Sequence, residues 1–198
     1  MSETLQYYNL SAKAYTDDTL NANVSELQKR FLACLPEGGK ILDFGCGSGR
    51  DTKYFLEHGF IVDAIDGSIE LCKIASAYSG IDVKCMLFQQ LDEIGKYDGI
   101  WACSSILHLT KKELLDVFVK MLRALNEDGI IYTSFKYGDA EGIRNGRYFN
   151  DFTEESFRQY ITQIPNVIIE ELWITNDVRP GRGEEKWLNL ILKKTDSH

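Results

Sequence analysis

The stretch that decides the fold is Lys40-Ile41-Leu42-Asp43-Phe44-Gly45-Cys46-Gly47-Ser48-Gly49-Arg50-Asp51. A short apolar run carries an acid near its end, three glycines then alternate with small residues, and a helical pattern follows. This order predicts a strand, a tight turn and a helix N-terminus. Glycine allows positive φ and lets a ligand come close to the backbone. A strand that opens into a helix through such a turn predicts a nucleotide-type binding edge.

The spacing of the glycines indicates which ligand to expect. Dinucleotide-binding turns follow G-x-G-x-x-G, whereas Gly45, Gly47 and Gly49 give G-x-G-x-G. With Asp43 two residues ahead, this resembles the first motif of class I S-adenosylmethionine-dependent methyltransferases. The resemblance implies that Asp43 supports the loop and the cofactor amino group. It also implies that the glycines, together with Cys46, approach the methionine half of the cofactor.

A second acid follows the next predicted strand. Residues 60–65 read as a buried strand that ends at Asp66-Gly67-Ser68. In doubly wound folds an acid at this place accepts hydrogen bonds from the ribose hydroxyls, and two charged oxygens suit two vicinal donors. Asp66, Gly67 and Ser68 are therefore predicted to bind the cofactor, with a simple turn as the alternative role for Asp66.

The adenine end of the site departs from the family pattern. Residues 81–88 predict a third strand that runs into Phe88, Gln89 and Gln90. Family members commonly place an acid here to bond the adenine amino group. An amide oxygen can accept the same bond, so these three residues are the predicted adenine contacts.

Residues 97–103 resemble the fourth motif of the family, an aromatic-Asp-x-apolar strand. The resemblance places Ala102 and Cys103, at the end of this strand, beside the cofactor. His108 follows within the same segment and is the candidate catalytic residue, because an imidazole can act as a general base near neutral pH. Packing under the cofactor site is the alternative role for His108.

Residues 1–35 predict a helical arm. Several tyrosines fall within the first 20 residues, and apolar residues at helical spacing follow. The arm either packs on the body of the protein or covers the cofactor as a lid. The resemblance selects Tyr15 as the tyrosine at the cofactor.

Residues 136–149 are glycine-rich and predict a long irregular loop. Arg144, Arg147 and Tyr148 are candidate substrate-binding residues within it, since guanidinium groups bind carboxylates and phosphates in a forked geometry. Salt bridges to neighbouring acids are the alternative for the two arginines.

The C-terminal third predicts an antiparallel hairpin. Residues 167–174 and 186–192 read as strands, and a polar, turn-rich link without a helix joins them. The predicted fold is a single α/β domain over residues 1–198. It is Rossmann-like and doubly wound, with a seven-stranded, mostly parallel sheet, a C-terminal antiparallel hairpin and helices on both faces.

Composition excludes several function classes. A net charge of -8 argues against a nucleic-acid partner, and no apolar run approaches the length that spans a membrane. The five cysteines show no C-x-x-C spacing, so we expect free thiols and no metal. Without a secretory leader pattern, the expected protein is cytoplasmic, a monomer or homodimer.

The resemblance implies the reaction. Class I methyltransferases move a methyl group from S-adenosylmethionine to a nucleophile by in-line displacement and release S-adenosylhomocysteine. Residues 145–149 look similar to bacterial tellurite-resistance-like methyltransferases, which implies a small-molecule acceptor. An NAD(P)-binding oxidoreductase and a catalytically silent S-adenosylmethionine-binding module are the alternatives.

Overall fold

The computed structural model describes residues 2–195 of the chain. Its α-helices, α1 to α6 in chain order, are Glu3–Thr19, Ser25–Ala33, Arg50–Glu57, Ile69–Ser79, Lys111–Ala124 and Glu154–Ile161. Its strands, β1 to β9, are Lys40–Phe44, Ile61–Asp66, Lys84–Cys85, Tyr97–Ala102, Leu125–Lys136, Glu141–Arg144, Arg147–Asn150, Val167–Asn176 and Lys186–Lys194. The predicted arm, residues 1–35, thus contains α1 and α2, and its first residue lies outside the described range.

Seven strands form one sheet in the order β3-β2-β1-β4-β5-β9-β8. The pairs from β3 to β5 are parallel, and β9 is antiparallel to both β5 and β8. The predicted fold class is therefore confirmed, including the C-terminal hairpin. The chain builds outward from β1 to β3 and then continues on the other side of β1 with β4. The gap between the carboxyl ends of β1 and β4 is thus a topological switch point, where doubly wound folds bind their ligands.

Helices cover both faces of the sheet because successive strand side chains point to opposite sides. On one face, sheet residues pack against α5 and α6, in a buried cluster that includes Leu42, Ile100, Phe118 and Phe157. On the other face, they pack against α2 and α3, in a cluster that includes Ile41, Trp101, Phe31 and Phe55. The central strands are buried on both faces, which explains their nearly continuous apolar sequence.

The predicted third strand, residues 81–88, is much shorter in the structure. Only Lys84–Cys85 pairs with β2, and residues 88–90 form a turn of 3₁₀ helix. Two side chains accept hydrogen bonds from backbone amides that a longer strand would use for pairing. Val83 N–H donates to the Ser76 hydroxyl at 3.0 Å, and Leu87 N–H donates to Oε1 of Gln90 at 2.8 Å. Such local bonds compete with strand pairing.

The prediction of an irregular loop over residues 136–149 was wrong. Strands β6 and β7 form a separate antiparallel hairpin there. Its turn is Asn145-Gly146, with φ of +51° and +74°. Positive φ at both central residues is the geometry that Asn-Gly favours in two-residue hairpins. The dipeptide was the available signal, and the high glycine content of the segment obscured it.

Candidate active site

The glycine turn after β1 is crowded from both sides. Gly45 has φ +88°, and a Cβ placed on it would lie 2.5 Å from Cβ of Ser105. Gly47 has φ +56°, and a Cβ there would lie 3.1 Å from the ring of Tyr15. L side chains rarely adopt such φ values, so conformation and close contact together require glycine at both positions. The turn ends at Gly49, which precedes α3.

Asp66 ties the glycine turn to the end of β2. Its Oδ2 accepts from Gly47 N–H at 2.9 Å, and its Oδ1 accepts from Ser68 N–H at 2.8 Å. Burial raises the pKa of this carboxyl, and the backbone donors oppose that shift. A carboxylate oxygen has more than one acceptor site, so each can also receive a hydroxyl from a ligand.

Asp43 lies beneath the turn. It is 2% exposed, and its Oδ2 accepts from the Thr52 hydroxyl at 2.5 Å. Burial raises the pKa of the Asp43 carboxyl, with a further contribution from the negative charge of Asp51. Asp43 thereby joins β1 to α3 and supports the turn from below.

A cavity of about 540 Å³ lies at the switch point. Seven of the predicted cofactor residues line it: Tyr15, Gly45, Gly47, Asp66, Gly67, Phe88 and Gln89. Within the described residues, five other predicted cofactor residues line neither this cavity nor the smaller one that adjoins it: Asp43, Gly49, Ser68, Gln90 and Ala102. Their contacts are structural: Ser68 caps α4 through Leu71 N–H, for example. We call this space the main cavity.

Helix α1 covers the main cavity. Leu5, Tyr8 and Tyr15 reach into it, and the Ser68 hydroxyl donates to Oδ1 of Asn9 at 2.7 Å. Sequence reasoning selected Tyr15 alone and missed Leu5 and Tyr8. The spacing of three and seven residues puts all three side chains on one helix face, and that periodicity was the signal that could have found them.

A smaller cavity of about 140 Å³ adjoins the main cavity, and we call it the second cavity. Five residues border both spaces: Tyr8, Tyr15, Gly45, Ser104 and His108. Cys46, Cys103 and Arg147, from the predicted site, line the second cavity. Residues of the C-terminal hairpin and its turn, which sequence reasoning did not select, also line it: Asn176, Asp177, Arg179, Arg182, Trp187 and Asn189.

Both ring nitrogens of His108 make hydrogen bonds. Nδ1 lies 2.6 Å from the carbonyl oxygen of Tyr148, and Nε2 lies 2.8 Å from the Tyr8 hydroxyl. Since a carbonyl can only accept, Nδ1 carries the proton and Nε2 accepts from Tyr8. Burial lowers the pKa of His108 to about 4, with the bond to Tyr148 opposing the shift and the charges of Arg147 and Arg144 adding to it. His108 is therefore neutral at physiological pH.

The three candidate substrate residues differ in what they contact. Arg144 donates through Nη1 and Nη2 to both carboxylate oxygens of Asp151, at 2.7 and 2.5 Å. The Tyr148 hydroxyl donates to Glu141, although the residue also lines the main cavity. Of the two arginines, only Arg147 lines a cavity. The salt-bridge alternative thus describes Arg144.

Within residues 2–195, no group of three or more His, Cys, Asp and Glu side chains is placed to hold a metal ion. None of the helices described there has both the length and the apolar character needed to cross a membrane.

Comparisons with known proteins identify the family. A methyltransferase domain family matches residues 41–129, which run from β1 into β5 and include the glycine turn. A Bacillus subtilis protein named as a methyltransferase, YqeM, is 31% identical over 67% of this chain and 58% of its own length. Residues 41–129 therefore belong to a methyltransferase domain family. The family resemblance carried by the glycine motif is confirmed.

Other methyltransferases match over more of their length. An uncharacterized methyltransferase of Staphylococcus carnosus is 28% identical over 86% of both chains. The fold is shared with the 1,6-didemethyltoxoflavin-N1-methyltransferase of Burkholderia thailandensis, with a TM-score of 0.77 and 23% identity over 97% of this chain and 85% of that one. That crystal structure holds 1,6-didemethyltoxoflavin and S-adenosylhomocysteine. The chain spans a little over half the length of YqeM and most of the other two.

Proposed function

We propose that this methyltransferase transfers a methyl group from S-adenosylmethionine in the main cavity to a small molecule in the second cavity. The observation that carries the proposal is the shared border. Tyr8, Tyr15 and His108 line both the main cavity, which the glycine turn borders, and the second cavity. Two adjacent cavities that share bordering residues can hold a donor and an acceptor side by side, as direct transfer between two bound molecules requires.

The main cavity suits the cofactor in size and in lining. Its volume of about 540 Å³ falls within the roughly 300–1,000 Å³ typical of small-molecule sites. Asp66 would accept the ribose hydroxyls, Phe88 and Leu87 would pack on the adenine, and Gln89 would bond its polar edge. Gly45 and Gly47 allow the methionine half to approach the backbone. S-adenosylmethionine supplies an electrophilic methyl group on a sulfonium, so the protein needs no nucleophile of its own.

The predicted catalytic role of His108 takes the form of a relay through Tyr8. Tyr8 lines both cavities, and its hydroxyl donates to Nε2 of His108. A nucleophile that loses a proton during transfer would pass it to Oη of Tyr8, while the phenol proton moves to Nε2 of His108. The lowered pKa keeps Nε2 of His108 unprotonated in the resting site, and it also makes this nitrogen a weak base, so the relay would hold the proton only in transit.

We further propose that the acceptor is not a nucleic acid and that the protein acts in the cytoplasm as a monomer or homodimer, with residues 1–198 as one domain. The net charge of -8 would repel phosphate backbones. The small second cavity, of about 140 Å³, favours a small acceptor. The cysteines of the described chain are free, in keeping with a reducing compartment.

A labelling experiment tests the transfer. The protein and its Asp66→Ala variant are incubated with fractionated bacterial metabolites and S-adenosylmethionine that carries a deuterated methyl group. A compound that gains the labelled methyl only with the wild-type protein identifies the acceptor. Tight cofactor binding without any labelled product would favour the silent binding module.

A further inference from the structure

We propose that the second cavity recognises a carboxylate on an aromatic acceptor and that Arg147 holds this carboxylate. The inference rests on the proposed function and deepens it, because it names the chemical class of the acceptor.

Most cations around the second cavity already have carboxylate partners. Arg50 donates to both oxygens of Asp51, at 2.8 and 2.9 Å. Arg179 and Lys136 both contact Asp177, at 2.6 and 3.3 Å, and Lys136 also pairs with Glu185. These pairs balance most of the positive charge that lines the cavity.

Arg147 is different. Among the residues that the structure describes, no carboxylate lies within ion-pair distance of its guanidinium, and its buried Nε has no hydrogen-bond partner. Its polar contact is a long one, from Nη1 to the Tyr8 hydroxyl at 3.4 Å. A buried N–H donor that lacks its hydrogen bond is costly, so the site gains most from a ligand that supplies acceptor oxygens.

Aromatic rings fix the orientation of this guanidinium. Its central carbon lies 4.6 Å from the ring centre of Tyr7, 5.1 Å from that of Phe149 and 5.9 Å from that of Tyr8. Stacking on rings pre-orders an arginine without using its hydrogen-bond donors. The donors remain available for the planar, bidentate recognition of a carboxylate.

The guanidinium of Arg147 lacks a carboxylate partner although the protein is rich in acidic side chains. The chain has 30 acidic and 22 basic side chains, so carboxylate partners are not in short supply. Arg182 also lines the cavity, and within residues 2–195 it too makes no ion pair. A small concave site with two uncompensated arginines concentrates positive potential, which attracts an anion.

The remaining lining predicts a single aromatic ring. Tyr8, Tyr15, Tyr132, Phe149 and Trp187 contribute rings to a cavity of about 140 Å³. An apolar cavity of about 150 Å³ is known to bind benzene. Benzoate therefore has the charge and the size that the site should accept, and benzamide is its neutral counterpart of nearly the same shape.

Calorimetric titration of the S-adenosylhomocysteine-saturated protein with benzoate and with benzamide tests the inference. Benzoate should bind at least tenfold more tightly than benzamide. Arg147→Met should weaken benzoate binding by roughly tenfold or more and leave benzamide unchanged, while Arg147→Lys should retain part of the preference. Arg144→Met is the matched control, because Arg144 is paired with Asp151 and lies outside both cavities; it should bind benzoate like the wild type.

Two results would overturn the carboxylate site: no preference for benzoate in the wild-type protein, or equal binding by wild type and Arg147→Met. S-adenosylhomocysteine affinity is measured for every variant in the same experiment. If the wild type binds S-adenosylhomocysteine but shows no preference for benzoate, only the carboxylate inference fails. If S-adenosylhomocysteine itself does not bind, the proposed function fails.

Discussion

The hydroxyl of Tyr8 lies 2.8 Å from Nε2 of His108, one hundred residues further along the chain. This bond fastens α1 to the segment that follows β4. Two more bonds join α1 to the rim of the main cavity: Ser68 to Asn9 at 2.7 Å, and Tyr148 N–H to the Thr4 hydroxyl at 3.0 Å. These three hydrogen bonds hold the N-terminal helix over the main cavity.

Shortening Tyr15 should loosen the cofactor. In Tyr15→Ala, the ring that covers Gly47 is lost, and with it about 1–2 kcal/mol of apolar contact. We expect S-adenosylhomocysteine to bind roughly tenfold more weakly, mainly through faster dissociation, measured by stopped-flow fluorescence. Leu10→Ala is the control on the same helix, because Leu10 is 80% exposed. Equal dissociation rates for the two variants would show that Tyr15 does not cover the cofactor.

A methyl group on Gly47 should harm binding more than stability. Gly47 and Gly59 have positive φ, +56° and +83°, so Ala at either position should cost about 1–2 kcal/mol of folding free energy. A Cβ on Gly59 meets no atom within 4 Å, whereas a Cβ on Gly47 lies against Tyr15. Only Gly47→Ala should weaken S-adenosylhomocysteine binding in a calorimetric titration. Unchanged affinity in that variant would place the cofactor elsewhere.

Removal of the Asp66 carboxylate should weaken cofactor binding by about 1–3 kcal/mol, the range for hydrogen bonds to a charged group. The measurement is calorimetric titration of Asp66→Ala with S-adenosylmethionine. Asp92→Ala is the charge-matched control, because Asp92 is exposed and lines neither cavity. Because Asp66 also holds Gly47 N–H, a thermal melt of the variant accompanies the titration. Wild-type affinity in a folded variant would show that Asp66 does not hold the ribose.

The neutral His108 makes stability depend on pH. Its pKa is about 4 in the folded protein and near 6.5 when unfolded. Between these two pH values His108 is protonated in the unfolded chain and neutral in the folded chain. The free energy of unfolding therefore falls by up to about 3 kcal/mol as pH falls from 6.5 to 4. His108→Gln should flatten this part of the profile in denaturant melts, since an amide can keep both hydrogen bonds without titrating. Parallel profiles for wild type and variant would contradict the assignment.

The sequence was most informative where backbone conformation is dictated locally. The glycine spacing after Asp43 and the helix-free link between the last two predicted strands were enough to predict the mostly parallel sheet and its C-terminal hairpin. The length of β3 depended on side-chain competition from Ser76 and Gln90, which periodicity does not report.

The candidate site was predictable on its cofactor side and less so on its acceptor side. Asp66 and the glycines belong to strand ends with a recognisable order. Tyr8, Arg179 and Trp187 come together only through the folding of α1 and the C-terminal hairpin over the same edge of the sheet. Likewise, only the structure distinguishes Arg144, which is paired with Asp151, from Arg147, which lines the second cavity.

The most direct test of the account is a calorimetric titration with S-adenosylmethionine and S-adenosylhomocysteine, with NADH as the control ligand. The glycine spacing and the main cavity predict micromolar binding of the first two and no binding of NADH. Binding of NADH in place of both would contradict the account, because the main cavity would then serve a dinucleotide.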